Sequence, residues 1–274
     1  MDTNISQETM NKFKKLKKIL SRMGKVAIGF SGGVDSTFLL KVAVDTLGEE
    51  NVMAVTSSSE THPEKSLEEA KQLAGKIGAL HKVIHTPELD NIDFKKNDRL
   101  RCYYCKRILF SEIKSLAVGE GFAYVVDGSN YDDMQSDYRP GRKATSELGV
   151  RSPLEEAEMT KIEIRKLSRS LGLPTWEKAS FACLATRFPY GEEITEGKLV
   201  KIGRAEEYLK SFSFKQLRAR QHDENTIRIE VTPEDMDKLM ANRQEIVEKL
   251  KEIGYIFVAL DLEGYRTGSM NVLL

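Results

Sequence analysis

Four short apolar runs, spaced by helix-forming stretches, constrain the fold of this chain more than any other feature. "KVAIGF" (25–30), "NVMAVTSSS" (51–59), "LHKVIHT" (80–86) and "AYVVDG" (123–128) read as strands. "TFLLKVAVDTLG", residues 63–79 and a stretch near 104–118 read as the helices between them. Alternation of this kind predicts right-handed βαβ units and a parallel sheet covered on both faces, an α/β fold. Residues 5–22 add an amphipathic helix with lysine-rich exposed positions. Residues 129–153 are polar and punctuated by Gly and Pro, which predicts a long loop, uncommon unless functional.

After "FPYG" (188–191) the pattern changes. A helix (195–210) precedes two alternating strands, 214–222 and 225–231, with "DEN" as the turn between them. A helix over 233–252 and a strand over 255–262 follow. The expectation is a first domain over 1–187 and a small α+β domain over 188–274 with a mostly antiparallel sheet.

Charge and cysteine usage narrow the class. Lys plus Arg and Asp plus Glu both number 42, so net charge is zero, which argues against a broad nucleic-acid surface. The first twenty residues lack a signal-type apolar core, and no stretch approaches a membrane span. With only three cysteines a disulfide scaffold is excluded, and a reducing, cytoplasmic compartment is expected.

The strongest chemical signal is "AIGFSGGVDSTFLL". A strand ends at Phe30, a loop of small residues follows, and a helix starts near Asp35. In open α/β sheets ligands bind at this end of a parallel strand. Gly32 and Gly33 let the backbone approach an anion, and the Ser31, Ser36 and Thr37 hydroxyls and helix N–H groups can hold phosphate oxygens. A carboxylate is out of place beside phosphates unless a cation bridges them, so Asp35 is assigned to Mg²⁺. Ser58 and Asp127–Gly128, at the ends of the second and fourth strands, are joined to the same nucleotide site. The loop is neither a Walker A nor a G-x-G-x-x-G motif, which counts against γ-phosphate transfer and dinucleotide binding.

SGGxDS resembles the PP-loop of the ATP pyrophosphatases. That resemblance implies attack on the α-phosphate of ATP, release of pyrophosphate and an adenylated substrate. Together, "DGSNYDDMQSDYRPGRKA", "SPL", "SRSLGLPTW", "RFPYG" and "LDLEGYRTGSMN" resemble the LarE family of sulfur transferases, from Lys25 to Asn271. Membership would imply a small-molecule nucleotide substrate, a pyridinium dicarboxylate mononucleotide. Its carboxylates would be adenylated and converted to thiocarboxylates on the way to the nickel-pincer nucleotide of lactate racemase.

Such a substrate carries a phosphate and two carboxylates, and guanidinium groups bind both bidentately. Arg139 and Arg142 lie in the 129–153 segment beside Asp132, Asp133, Asp137, Tyr138 and Lys143. "RARQH" puts Arg218 and Arg220 on one strand face by the period of two, and Arg266 sits in a Gly-flanked segment. Arg187 follows Cys183 at the junction of the two expected domains and is assigned with Asp35 and Cys183 to the chemistry. The four histidines share no metal-ligand spacing. A solvated charged loop is the competing reading for Arg139 and Arg142, and an exposed strand face for Arg218 and Arg220.

Cys102 and Cys105 in "RCYYCK", with Cys183 in "FACLATRFPYG", admit three readings. They are a thioredoxin-like C-x-x-C ahead of a helix, inert buried thiols, or three ligands of a [4Fe–4S] cluster whose fourth iron stays open. The LarE resemblance sharpens this. Its members are of two types: one sacrifices a single cysteine, and the other holds a cluster with three. Counted from "RFPYG", the sacrificial position falls on Ala182, next to Cys183. The three-cysteine inventory matches the cluster type, with sulfide as the sulfur source and a homo-oligomer as the expected state. A tRNA-thiolating enzyme, an amide-forming synthetase and a non-catalytic iron–sulfur or nucleotide-sensing module are the alternatives.

Overall fold

A computed structural model describes residues 5–61, 64–135, 140–178, 183–266 and 268–270. The chain divides into two compact units, one of Met1–Glu88 with Cys102–Phe181, the other of Leu89–Arg101 with Ala182–Leu274.

In the first unit the four apolar runs are strands: β1 (Val26–Gly29), β2 (Val52–Ser58), β3 (Leu80–His85) and β4 (Tyr124–Val126). All pair in parallel, in the order β3-β2-β1-β4. β1 and β2 are almost wholly buried, as continuous apolar strands covered on both faces must be. The Val34–Leu47 helix is apolar nearly all round and buries Phe38, Leu39, Leu40 and Val42 against β1 and the Gln7–Met23 helix. That first helix is capped by Ser6, whose hydroxyl accepts from the Thr9 N–H at 3.1 Å, and buries Leu16, Leu20 and Met23. On the other sheet face Phe110, Ile113 and Ala117 of the Arg101–Gly119 helix pack against Ala27, Met53 and Val125.

Two expectations need correction here. The 129–153 segment is not one long loop: it holds a 3₁₀ turn (Tyr131–Gln135), a helix (Pro140–Glu147) and a parallel bridge from Arg151 to Val126. The Pro and Gly read as breakers stand at the first two positions of that helix, where a missing N–H costs nothing. The C-x-x-C pair also does not precede a helix; the helix begins at Arg101, so both cysteines lie inside its first turns.

In the second unit β5 (Leu217–Gln221) and β6 (Thr226–Val231) form the expected antiparallel hairpin. β7 (Phe257–Leu260) pairs with β6 in parallel, so the sheet β5-β6-β7 is mixed and not mostly antiparallel. The connection from β6 to β7 runs through helices, and a helical crossover returns a strand in the same direction. The expected 233–252 helix is broken at Asn242 into Met236–Ala241 and Arg243–Ile253, after a 3₁₀ turn at Pro233–Asp235. Its core includes Leu199, Ile202, Ala205, Ile227, Ile229 and Leu250. Among the described residues no helix is long and apolar enough to cross a membrane.

Candidate functional site

In the first unit the chain leaves β3, crosses over and returns as β4 on the other side of β1, so the strand order reverses between β1 and β4. The loops at the carboxyl ends of those two strands are SGGVDS and Asp127–Gly128, which puts both at the topological switch point. Gly32 turns the chain with φ +66°, a conformation that costs glycine nothing. Gly33 is the extended N-cap of the following helix and offers no side chain to its N–H groups, which leaves them for an anion. The Ser31 and Ser36 hydroxyls lie 3.1 Å apart, and Ser36 Oγ reaches the Gly33 carbonyl at 3.3 Å. Thr56 Oγ1 donates to the Phe30 carbonyl at 2.8 Å and fixes the end of β1. Gly128 has no room for a side chain, because a β-carbon there would meet the Ser36 nitrogen at 3.1 Å.

Asp127 is buried and fully engaged: it accepts from Ser129 N–H at 3.1 Å, Ser129 Oγ at 2.8 Å and Ser152 Oγ at 2.7 Å. These bonds tie it to the loop after β4 and to Ser152. Ser58 ends β2, its carbonyl accepting from Thr86 N–H at 3.3 Å. Thr37 Oγ1 is buried without a hydrogen bond.

Asp35 is held differently. Lys161 pairs with Oδ2, while Oδ1 is buried and makes no hydrogen bond. Burial raises the carboxyl above its ordinary range, and Asp133 adds to this; Lys161 and Arg165 oppose it without cancelling it. An orphaned, buried carboxylate oxygen fits a divalent cation, which would supply the missing partner. Lys161 was not singled out in the sequence, although "TKIE" carries its signal. Thr160 and Glu163 form a capping box, and this sets Lys161 at the first position of its helix. Lys178, also missed, donates to the Gly32 carbonyl at 3.1 Å and to Glu69 at 2.9 Å, and so braces the glycine loop.

The expected substrate arginines divide. Arg139 lies outside the described residues, as does Ala182. Arg142 is in the first unit, paired with Glu155 at 2.7 Å. The second unit holds the rest in one network. Arg187 is 1% exposed and forms a two-point ion pair with the equally buried Glu206. Arg220 bonds to Glu230 at 3.1 Å, the Thr186 carbonyl at 3.0 Å and Ser269 Oγ at 3.0 Å. Arg228, missed by sequence, joins Glu230 at 3.2 Å to Asp261 at 3.5 Å, and Asp261 reaches Arg266 at 3.4 Å. Arg218 stacks over the Tyr265 ring at 5.3 Å. Burial, then the charge of Arg187, lower the pKa of Arg218, while Tyr265 and Glu206 oppose this.

None of the three cysteines is in a disulfide; Cys102 is exposed, and Cys105 and Cys183 are half-buried. Cys102 and Cys105 stand three apart on one helix, so they share a face. Three thiols are a donor set that suits an iron–sulfur cluster with one open iron. Among the described residues no group of three His, Cys, Asp or Glu side chains is assembled to hold a metal ion.

Residues 8–99 match a family model described as NAD synthase. Over 96% of its length the chain is 42% identical to an uncharacterised protein of Synechocystis, covering 98% of that protein. It is 36% identical over 92% of its length to the pyridinium-3,5-bisthiocarboxylic acid mononucleotide synthase of Lactiplantibacillus plantarum, covering 91% of that enzyme. An uncharacterised protein of Methanocaldococcus jannaschii is 32% identical over 89% of the chain and 91% of its own length.

Proposed function

The chain belongs to the LarE family, that of the pyridinium-3,5-bisthiocarboxylic acid mononucleotide synthases, and on this premise we propose that it is an ATP-dependent sulfur transferase for the nickel-pincer cofactor. Its substrate is a pyridinium dicarboxylate mononucleotide. The observation that carries this reading is the SGGVDS loop at the β1–β4 switch point, with the Asp35 Oδ1 atom left without a partner.

The residues divide the work. Backbone N–H groups at the start of the Val34–Leu47 helix, with the Ser31, Ser36 and Thr37 hydroxyls, receive the phosphates of ATP. Asp35 would hold Mg²⁺, which neutralises charge on the pyrophosphate. A substrate carboxylate oxygen bonds to the α-phosphorus, the bond to the bridging oxygen breaks, and pyrophosphate leaves. The acyl adenylate then accepts sulfur at its carbonyl carbon and AMP departs. Arg142, Arg139, Arg218, Arg220 and Arg266 are the candidates for the anionic groups of the substrate. Arg187, locked to Glu206, fixes the turn after Cys183. Incubation with ATP, Mg²⁺ and pyridinium-3,5-dicarboxylic acid mononucleotide should release pyrophosphate; absence of pyrophosphate overturns the reading.

For the sulfur, Cys102, Cys105 and Cys183 would hold a [4Fe–4S] cluster, supplied with sulfide, in a cytoplasmic homo-oligomer. The support is the donor set: three thiols outside any disulfide, two of them on one helix face. Such a group supplies an open iron able to bind sulfide. Anaerobic purification should give about four irons per chain, lost on replacing any of the three cysteines by Ser. A protein lighter by one H₂S at Cys183 after a single turnover would instead make that cysteine the donor.

A further inference from the structure

Three buried guanidinium groups of the second unit converge on the four-residue turn Leu184–Arg187 that follows Cys183. Arg101 donates to the Ala185 carbonyl at 2.9 Å. Arg220 donates to the Thr186 carbonyl at 3.0 Å, and Arg187 to the Thr186 hydroxyl at 2.6 Å. Thr186 passes the restraint back, since its N–H and hydroxyl both donate to the Cys183 carbonyl, at 3.0 and 2.8 Å. Leu184, Ala185 and Arg187 are buried, while Cys183 remains partly accessible.

Burying a guanidinium is costly unless its charge and donors are met. Glu206 and Glu230 meet Arg187 and Arg220. Arg101, 5% exposed, is met by Asn97 Oδ1, the Ala185 carbonyl and the face of Tyr190 at 5.3 Å. Asn97 is itself fully buried in a left-handed conformation (φ 52°). Its side chain donates to the Pro189 carbonyl at 2.7 Å, and its own carbonyl accepts from Gly191 N–H at 2.9 Å. The 89–101 segment therefore carries an Asn–Arg pair whose hydrogen bonds go to residues 185–191. An arrangement that only filled space would use apolar side chains; one guanidinium nitrogen shared between the Asn97 amide oxygen and the Ala185 carbonyl fixes the orientation of both.

We infer that Arg101 is a positioning residue for Cys183, holding the turn that sets the direction of its thiol. This rests on the reading that Cys183 serves sulfur transfer. The residue after Arg101 is Cys102, so one peptide unit separates this clamp from the C-x-x-C pair.

The test is Arg101→Met, with Arg101→Lys as the milder variant that keeps charge and one donor. In metal-free protein, iodoacetamide labelling of Cys183, followed by peptide mass spectrometry against Cys105 as internal reference, should accelerate about threefold or more as the turn loosens. Pyrophosphate release should stay near wild type, while thiocarboxylate formation falls about tenfold or more, the cost of a misplaced reacting group. Arg101→Lys should fold and show the same split to a lesser degree. Unchanged labelling and unchanged thiocarboxylate yield in both variants would overturn the inference. Equal loss of pyrophosphate and thiocarboxylate would also overturn it, by making Arg101 a general structural residue. If wild type itself releases no pyrophosphate, the proposed function fails, yet the labelling result still judges the clamp.

Discussion

Lys161 engages one carboxylate oxygen of Asp35 and leaves the other buried without a hydrogen bond. This half-satisfied carboxylate is the group proposed to take a cation beside the glycine loop. Asp35→Asn should cut Mg²⁺-dependent pyrophosphate release by about 10²–10³-fold without changing the fold. The pair also predicts a pH effect. Burial holds the Asp35 carboxyl above its ordinary range and Lys161 pulls it down. Only the ionised form binds a cation, so Lys161→Met should shift the acid limb of the pyrophosphate-release profile to higher pH. An unmoved limb would remove Asp35 as the titrating group.

Glu88 gives a stability prediction. It is 1% exposed, accepts from Thr86 Oγ1 at 3.0 and 2.9 Å, and burial raises its carboxyl despite those bonds. A carboxyl raised by folding stabilises the folded state while protonated, and that contribution is lost as pH rises through the folded pKa. Glu88→Gln lacks this loss. The melting temperature of the variant minus that of wild type should therefore increase from acidic to neutral pH. A constant difference would contradict it.

Arg187→Ala leaves Glu206 charged, buried and without its main partner. The expected cost is about 3–5 kcal/mol in urea unfolding. Replacing both residues by Met and Leu should recover most of it, because the pair's desolvation disappears with it. A single-variant loss below about 1 kcal/mol would show the pair to be hydrated in solution.

Arg218 and Arg266 are half-buried in the second unit, Arg218 over the Tyr265 ring and Arg266 beside Asp261 and Glu263. Arg218→Ala and Arg266→Ala should each raise the substrate KM by about tenfold or more and leave ATP binding unaltered. Arg220→Ala, by contrast, should lower stability, because Glu230 is wholly buried. Unchanged substrate KM in both of the first two variants would return those arginines to a solvated strand face.

The parallel sheet was legible because each strand is a continuous apolar run bounded by turn residues, and the glycine loop because its small residues fall between a strand and a helix. Position in three dimensions was not. That Arg187 is buried against Glu206 depends on two residues nineteen apart whose meeting no local pattern announces. The Pro140–Glu147 helix was hidden because Pro and Gly at its start mimic a breaker. Lys161 could have been found from its capping box, yet nothing in the sequence pairs it with Asp35. The transfer of 89–101 to the second unit had no composition signal at all; it follows from hydrogen bonds such as Asn97 to Pro189 and Ile194 to Lys95.

Gly128 sets the clearance between the end of β4 and the first turn of the Val34–Leu47 helix to the width of a bare peptide. A side chain at 128 would meet the backbone of Asp35 and Ser36. It would push the helix start away, and with it the row of N–H groups proposed to receive the phosphates. The atoms met there are all backbone, so no substitution at 36 relieves the clash, and a methyl group at 128 would register as weakened nucleotide affinity.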